Sequence, residues 1–183
     1  MVAVIEIARL LETRNQTLNH TIYFVAFDLE EYGLLGSIAF VRDYLIPEEI
    51  NKGVKFTGAY ILDMILSYND SAFSQRLPPD FIQTNPSETM KIYANQGRGD
   101  FLSVLKRDVL DDALWNAYAD AWNNISANTN YKIYRFSAPI PVNASRSVIT
   151  LYSTYSRSDH AAFWHQGNTY SGEPFRAILI NDM

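Results

Sequence analysis

Two adjacent carboxylates, a third carboxylate at the end of an apolar segment and one imidazole are the groups of this sequence best suited to chemistry. Glu30 and Glu31 follow the apolar run from Thr21 to Asp28 and precede a turn punctuated by Gly33 and Gly36. Asp63 closes a second apolar run that includes Ala59, Tyr60, Ile61 and Leu62, and His160 lies within Ser158-Asp159-His160-Ala161-Ala162-Phe163. Carboxylate oxygens and imidazole nitrogens are zinc ligands, and a further carboxylate beside a metal can act as general base on its water. Consecutive strand residues point to opposite faces, so Glu30 and Glu31 can serve one site only if the chain leaves strand geometry there, as Gly33 helps it do. A lone carboxylate after an apolar strand is costly to bury unless it is paired or bound to a cation. Each group also has a structural reading: a solvated turn for the glutamates, a cap for Asp63, a surface or capping role for His160. Their combination is what points to a site.

The elements that must position these groups alternate between strand and helix patterns. Val4, Ile5, Ala8 and Leu11 mark one face of an amphipathic helix over residues 2 to 12. The run 21 to 28 reads as a strand buried on both faces, central and parallel. Leu34, Ile38, Val41 and Leu45 then give a helix that Pro47 closes, and a second buried strand runs from Val54 to about Met64. Residues 66 to 85 read as a long loop, Met90 to Ala94 as a short strand, and Asp100 to about Trp122 as the longest helix, with Phe101, Val104, Leu105, Leu114 and Trp115 in the core. After an Asn-rich connector from 123 to 130, strands are expected at 131 to 136, 148 to 152 and 175 to 180. A short helix from Ser158, its N-cap, to His165 lies between the last two. This alternation predicts an α/β sandwich, within one domain spanning 1 to 183. Ligands of open α/β sheets gather at the carboxyl ends of strands, so the three chemistry-bearing segments are expected to share one crevice.

Composition removes several rival functions. The 183-residue chain contains no cysteine, which excludes thiolate zinc sites, iron-sulfur clusters, disulfides and cysteine nucleophiles. A formal charge of -5 leaves no footprint for a nucleic-acid backbone or an anionic membrane, and no apolar run is long enough for a membrane helix. Walker A, H-E-x-x-H, G-x-S-x-G and dinucleotide fingerprints are absent from the sequence. Arg98-Gly99-Asp100, His20 and His165 are read as structural, and Asp28 and Asp159 as strand-end and helix-cap residues, with a place beside the site, supporting its ligands, as the alternative. Sequons at Asn15, Asn19, Asn69, Asn124 and Asn143 suggest passage through a secretory compartment, although Glu6 and Arg9 interrupt any N-terminal signal.

In order and approximate spacing, Val4 to Leu10, Phe24 to Ser37 with its EE-x-G-x-x-GS pattern, Leu62 to Ile65 and Arg157 to Phe163 resemble the co-catalytic di-zinc aminopeptidases of the Y and S type, relatives of plasma glutamate carboxypeptidase and glutaminyl cyclases. The resemblance implies a three-layer α/β sandwich around a mixed, mainly parallel sheet. It implies Glu30 as general base, Glu31 and His160 as ligands of one zinc, and Asp63 as a ligand of the other. It also implies a histidine and a bridging aspartate just upstream of the Val2 helix, absent here, and hence a domain incomplete at its N-terminus. The expected function is zinc-dependent removal of N-terminal residues from peptides, impaired in this chain. A glutaminyl-cyclase-like transferase with a single zinc and a non-catalytic receptor or scaffold relative are the alternatives. Nothing in the sequence fixes the oligomeric state.

Overall fold

Residues Phe101–Arg107 form a strand, β2, in which every residue is buried, where the sequence pattern suggests a helix. The computed structural model describes residues 2–14, 17–65, 67–125, 130–165 and 172–182. Within them a four-stranded sheet has the order β1-β4-β2-β3, with β1 at Ala59–Asp63, β3 at Lys132–Ala138 and β4 at Ala177–Asn181. β1 with β4 and β2 with β3 run parallel, whereas β2 and β4 are antiparallel. The central place of β2 explains the error: a strand covered on both faces shows a continuous apolar run, which period alone does not separate from a buried helix. The helix α5 begins only at Asp112 and runs to Ile125.

Helices cover both faces. On one side Leu114, Trp115, Tyr118 and Trp122 of α5 pack with Leu102, Val104, Ile178 and Ile180. On the other lies the larger core, which contains Val41, Leu45, Phe81, Ile92, Phe136, Phe163 and Trp164. A three-layer α/β arrangement around a mainly parallel, mixed sheet is therefore present, as the resemblance implies.

Several local expectations are corrected by helix-starting chemistry. Pro79 and Pro86 stand in the first turns of α3 (Pro79–Thr84) and α4 (Pro86–Ala94), where a missing N–H costs nothing. Thus the loop expected at 66 to 85 contains a helix, and the strand expected at 90 to 94 belongs to one that buries Thr89 and Ile92. The β-branched run 148 to 150 lies in α6 (Arg146–Leu151), because the Ser145 hydroxyl accepts from the Val148 N–H and caps it. Pro47 does not close the second helix. α2 (Leu35–Ala39) passes into a wider π-type stretch, Phe40–Glu49, and the Ile50 N–H still donates to the carbonyls of Leu45 and Ile46. The amphipathic helix α1 (Val2–Glu12) forms as expected, with no buried residue.

The greatest departure concerns residues 21 to 28. They join no sheet, and Ile22, Tyr23 and Phe24 are exposed. The second expected strand is likewise shorter, with only Ala59–Asp63 paired. Asn15 and residues 126 to 129 of the Asn-rich connector, including Ser126 of one sequon, lie outside the described residues.

The sheet is closed from below by a buried ion pair. Asp111 is fully buried and accepts from the Arg107 backbone N–H at 2.9 Å, from Arg107 Nε at 3.0 Å and from the Ala177 N–H at 3.1 Å. Arg107 in turn donates to the Phe175 carbonyl at 2.7 Å and lies over the Trp164 ring. Removing one partner leaves an uncompensated buried charge. Asp111→Ala should therefore lower the unfolding free energy in urea by about 3–5 kcal/mol; a loss below about 1 kcal/mol, the scale of an exposed pair, would show that the pair does not anchor the sheet.

Candidate active site

Glu30 and Glu31 begin a single 3₁₀ turn, Glu30–Tyr32. This is the departure from strand geometry that one site for both carboxylates requires. The turn is bounded by residues in the left-handed region, Leu29 at φ 58° before it and Gly33 at φ 95° and Leu34 at φ 61° after it. Left-handed leucines are strained and persist only where surrounding bonds dictate them. Here the Leu29 N–H donates to the Asp28 carboxylate at 2.7 Å, the Leu35 N–H to the Leu29 carbonyl and the Gly36 N–H to the Asp28 carbonyl at 3.0 Å. Asp28 thus organises the turn, a role beyond that of a simple strand end.

Asp63 is the last residue of β1, opposite Asn181 of β4. Met64 after it adopts φ 44°, and its carbonyl accepts from the Asp182 N–H. The strand end is therefore turned and held in place just where the carboxylate stands.

The electrostatics of Glu30 show which groups meet. Its carboxyl is raised above the ordinary range by burial first, then by the negative charges of Asp63, Glu31 and Asp159, while Arg157 opposes the shift. Asp159 is raised as well, chiefly by burial and further by Asp63, with the Ser37 hydroxyl opposing. Glu30 thus feels the negative charges of Asp63, Glu31 and Asp159, and Asp159 that of Asp63, with Arg157 acting the other way on Glu30. Of the two readings of Asp159, a helix cap or a support beside the site, its charge acting on Glu30 favours the second.

His160 is placed differently. It opens α7 (His160–His165), is fully buried, and its Nε2 lies 2.8 Å from the Tyr155 carbonyl, to which it donates. The ring stands edge-on to Trp164. Burial lowers its pKa to about 4, helped by the positive charges of His165 and Arg107. The charged neighbours it feels are thus basic groups, and the described contacts do not bring it to Glu31. Its Nδ1 is the nitrogen left without a partner. Ser158 does not cap α7 through its side chain, since its Oγ is also unpartnered.

What carries the Asp159 segment to the glutamates is Phe163. Its ring lies 6.3 Å from both Phe27 and Phe40 and stacks on Phe56 at 5.9 Å. Phe27 precedes the glutamate turn by three residues, so aromatic packing between Phe27 and Phe163 fixes the two segments against each other. Asp159 immediately precedes α7, four residues before Phe163 in the sequence.

The oxygen donors of the crevice suit a divalent cation, and the unpartnered, buried Asp159 Oδ1 has the character of a ligand atom. Among the described residues, however, no three His, Asp or Glu side chains converge closely enough to hold a metal ion. A catalytic zinc commonly takes three protein ligands. The described residues therefore do not complete a zinc site by themselves.

Close backbone approach makes one glycine indispensable to the turn. A Cβ on Gly36 would lie 2.4 Å from the Asp28 carbonyl oxygen and 2.6 Å from its nitrogen, both rigid backbone atoms. Gly36→Ala should displace the Glu30 turn and cost about 1–3 kcal/mol, as overpacking does. Thermal unfolding and amide exchange at residues 30 to 36 measure this, and an unchanged midpoint with unchanged exchange would contradict the contact.

Comparison with known proteins adds one positive finding: the model of peptidase family M28 matches residues 1–172. No curated protein and no solved structure matches the chain significantly. With the glutamate turn, the Asp63 strand end and the Asp159 segment all inside the matched region, the chain belongs to peptidase family M28, whose members are co-catalytic zinc aminopeptidases and carboxypeptidases.

Proposed function

We propose that the domain acts as an exopeptidase that removes N-terminal residues from peptides, with Glu30 as its proton carrier. The supporting observation is that Glu30, partly buried, feels the negative charges of Asp63, Glu31 and Asp159. Family membership carries zinc-dependent peptidase activity in general; the aminopeptidase direction and the individual roles are our assignment.

In this reading Glu30 accepts a proton from the attacking water as its oxygen bonds to the scissile carbonyl carbon. The same proton then passes to the amide nitrogen, the C–N bond breaks, and the amine leaves. Burial and the neighbouring carboxylates raise the Glu30 carboxyl, which favours its protonated form. Glu31 and Asp63 are the carboxylates assigned to hold the cations, and Arg157 opposes the negative charge felt by Glu30. His160 can act as a ligand only through Nδ1, because Nε2 is committed to the Tyr155 carbonyl. The exposed sequon asparagines Asn19, Asn69, Asn124 and Asn143 support a secretory location.

A second reading, a non-catalytic relative of the peptidases, is favoured by the incomplete ligand set among the described residues. Hydrolysis of aminoacyl anilides by the zinc-supplied chain separates the two. The peptidase reading expects turnover that falls by about 100- to 10,000-fold in Glu30→Gln, the usual range for loss of a general base. Equal rates in the wild-type chain and in Glu30→Gln, including no turnover in either, would favour the non-catalytic reading.

A further inference from the structure

We propose that Asp182 is a positioning residue of the reaction: it grips the turn that follows Asp63 and so fixes where the Asp63 carboxylate points. The catalytic consequence rests on the peptidase reading; the placement of Asp63 rests on the geometry alone.

The ladder between β1 and β4 ends with Asp63 opposite Asn181. One residue further, the Asp182 N–H donates to the Met64 carbonyl at 3.3 Å, and the Asp182 Oδ2 accepts from the Ser67 N–H at 2.5 Å. A single residue thus holds the bend on both limbs, at the left-handed Met64 and three residues later. A non-glycine residue keeps such a backbone only where neighbouring bonds over-determine it, and Asp182 supplies two of them.

Asp182 is itself anchored from the opposite side. Its Oδ1 accepts from the Tyr131 hydroxyl. The Tyr131 ring meets Tyr68 edge-on at 5.4 Å and packs against Trp122 of α5 at 6.0 Å. Tyr68 follows Ser67 directly, so Asp182, Ser67, Tyr68 and Tyr131 close a ring of contacts around the turn. The preceding residue, Asn181, is tied to β2, because the Ser103 hydroxyl donates to its carbonyl at 3.2 Å and to its side-chain oxygen.

The chemistry separates Asp182 from the carboxylates of the site. It is 4% exposed, and a carboxylate buried to that degree is costly unless its oxygens are hydrogen-bonded. Each of its oxygens has a donor, whereas Oδ1 of Asp159 has none. Asp182 therefore acts through Asp63 and not on substrate or cation. An asparagine can replace this grip without the charge: its oxygen still accepts from Ser67, and its amide can donate to the Tyr131 hydroxyl, which accepts as well as donates. Alanine keeps neither bond.

The test compares Asp182→Ala and Asp182→Asn in the full chain, with folding checked by circular dichroism. In amide proton–nitrogen NMR spectra, Asp182→Ala should move the signals of Asp63, Met64 and Ser67. It should also move that of Glu30, which feels the Asp63 charge, while Asp111 at the far end of β4 stays in place. With zinc supplied, its kcat on aminoacyl anilides should fall about 10- to 100-fold with little change in KM, the range for groups that orient a ligand. Asp182→Asn should restore most of both. A wild-type chain without turnover would sink the peptidase reading only, and the spectra would then decide the role of Asp182. Unmoved Asp63 and Glu30 signals or an unchanged kcat in folded Asp182→Ala would overturn the proposal. So would an Asp182→Asn as impaired as Asp182→Ala, since charge and not grip would then matter. If Asp182→Ala does not fold, Tyr131→Phe takes its place: loss of that hydroxyl should move the same signals, and their constancy would overturn the proposal.

Discussion

The buried pairing of Arg107 with Asp111 is the constraint from which the arrangement follows. Asp111 lies between β2 and α5 and accepts from the backbone of both β2 and β4, while Arg107 reaches the Phe175 carbonyl and lies over the Trp164 ring. Trp164 then donates from its indole to the Ala177 carbonyl. One ion pair therefore ties two strands, the long helix and α7 together. Burying two charges is expensive, and it is offset here because nearly every hydrogen-bonding direction of the pair is used. Its value to the site lies in orientation: with Trp164 fixed on β4, Phe163, about 100° round the same helix, is set against Phe27, Phe40 and Phe56.

That orientation brings charge together where sequence separates it. Glu30, Asp63 and Asp159 arrive from a 3₁₀ turn, a strand end and a helix start, each next to a position of conformational or polar strain. Leu29, Leu34 and Met64 are left-handed without being glycine, and Asp159 Oδ1 lacks a partner. Like charges held together by strained backbone are unfavourable unless something repays the cost, and a cation or a reacting proton is the natural recipient. The position of His160 sharpens the point. Its ring is used to brace Tyr155 and Trp164, so the acidic crevice and the buried imidazole are two distinct environments on the same short helix.

How much of this was legible in the sequence depended on whether the signal was local. The glutamate turn was readable because Gly33 and Gly36 announce it, and Asp63 because an apolar run ends there. The amphipathic α1 was readable from its period. β2 was not, since its burial on both faces erases the period that separates strand from helix. α4 and α6 were misread because β-branched and aromatic residues suggested strands, while Pro86 and the Ser145 cap decided for helices. The apolar run at 21 to 28 suggested a buried central strand, whereas it joins no sheet among the described residues, because pairing depends on a neighbour that one segment cannot reveal. His160 was assigned to a metal by resemblance, and its bond to the Tyr155 carbonyl, a contact within the tertiary fold, has no sequence signature.

The central claim is that Glu30, Glu31 and Asp63 belong to one cation-facing crevice. The most direct test is a calorimetric titration of zinc into the wild-type chain and into Asp63→Asn at neutral pH, with folding checked by circular dichroism. The account predicts weak saturable binding by the wild-type chain, because the described ligand set is incomplete, and its loss in a folded Asp63→Asn. Binding of equal strength in both chains would contradict it.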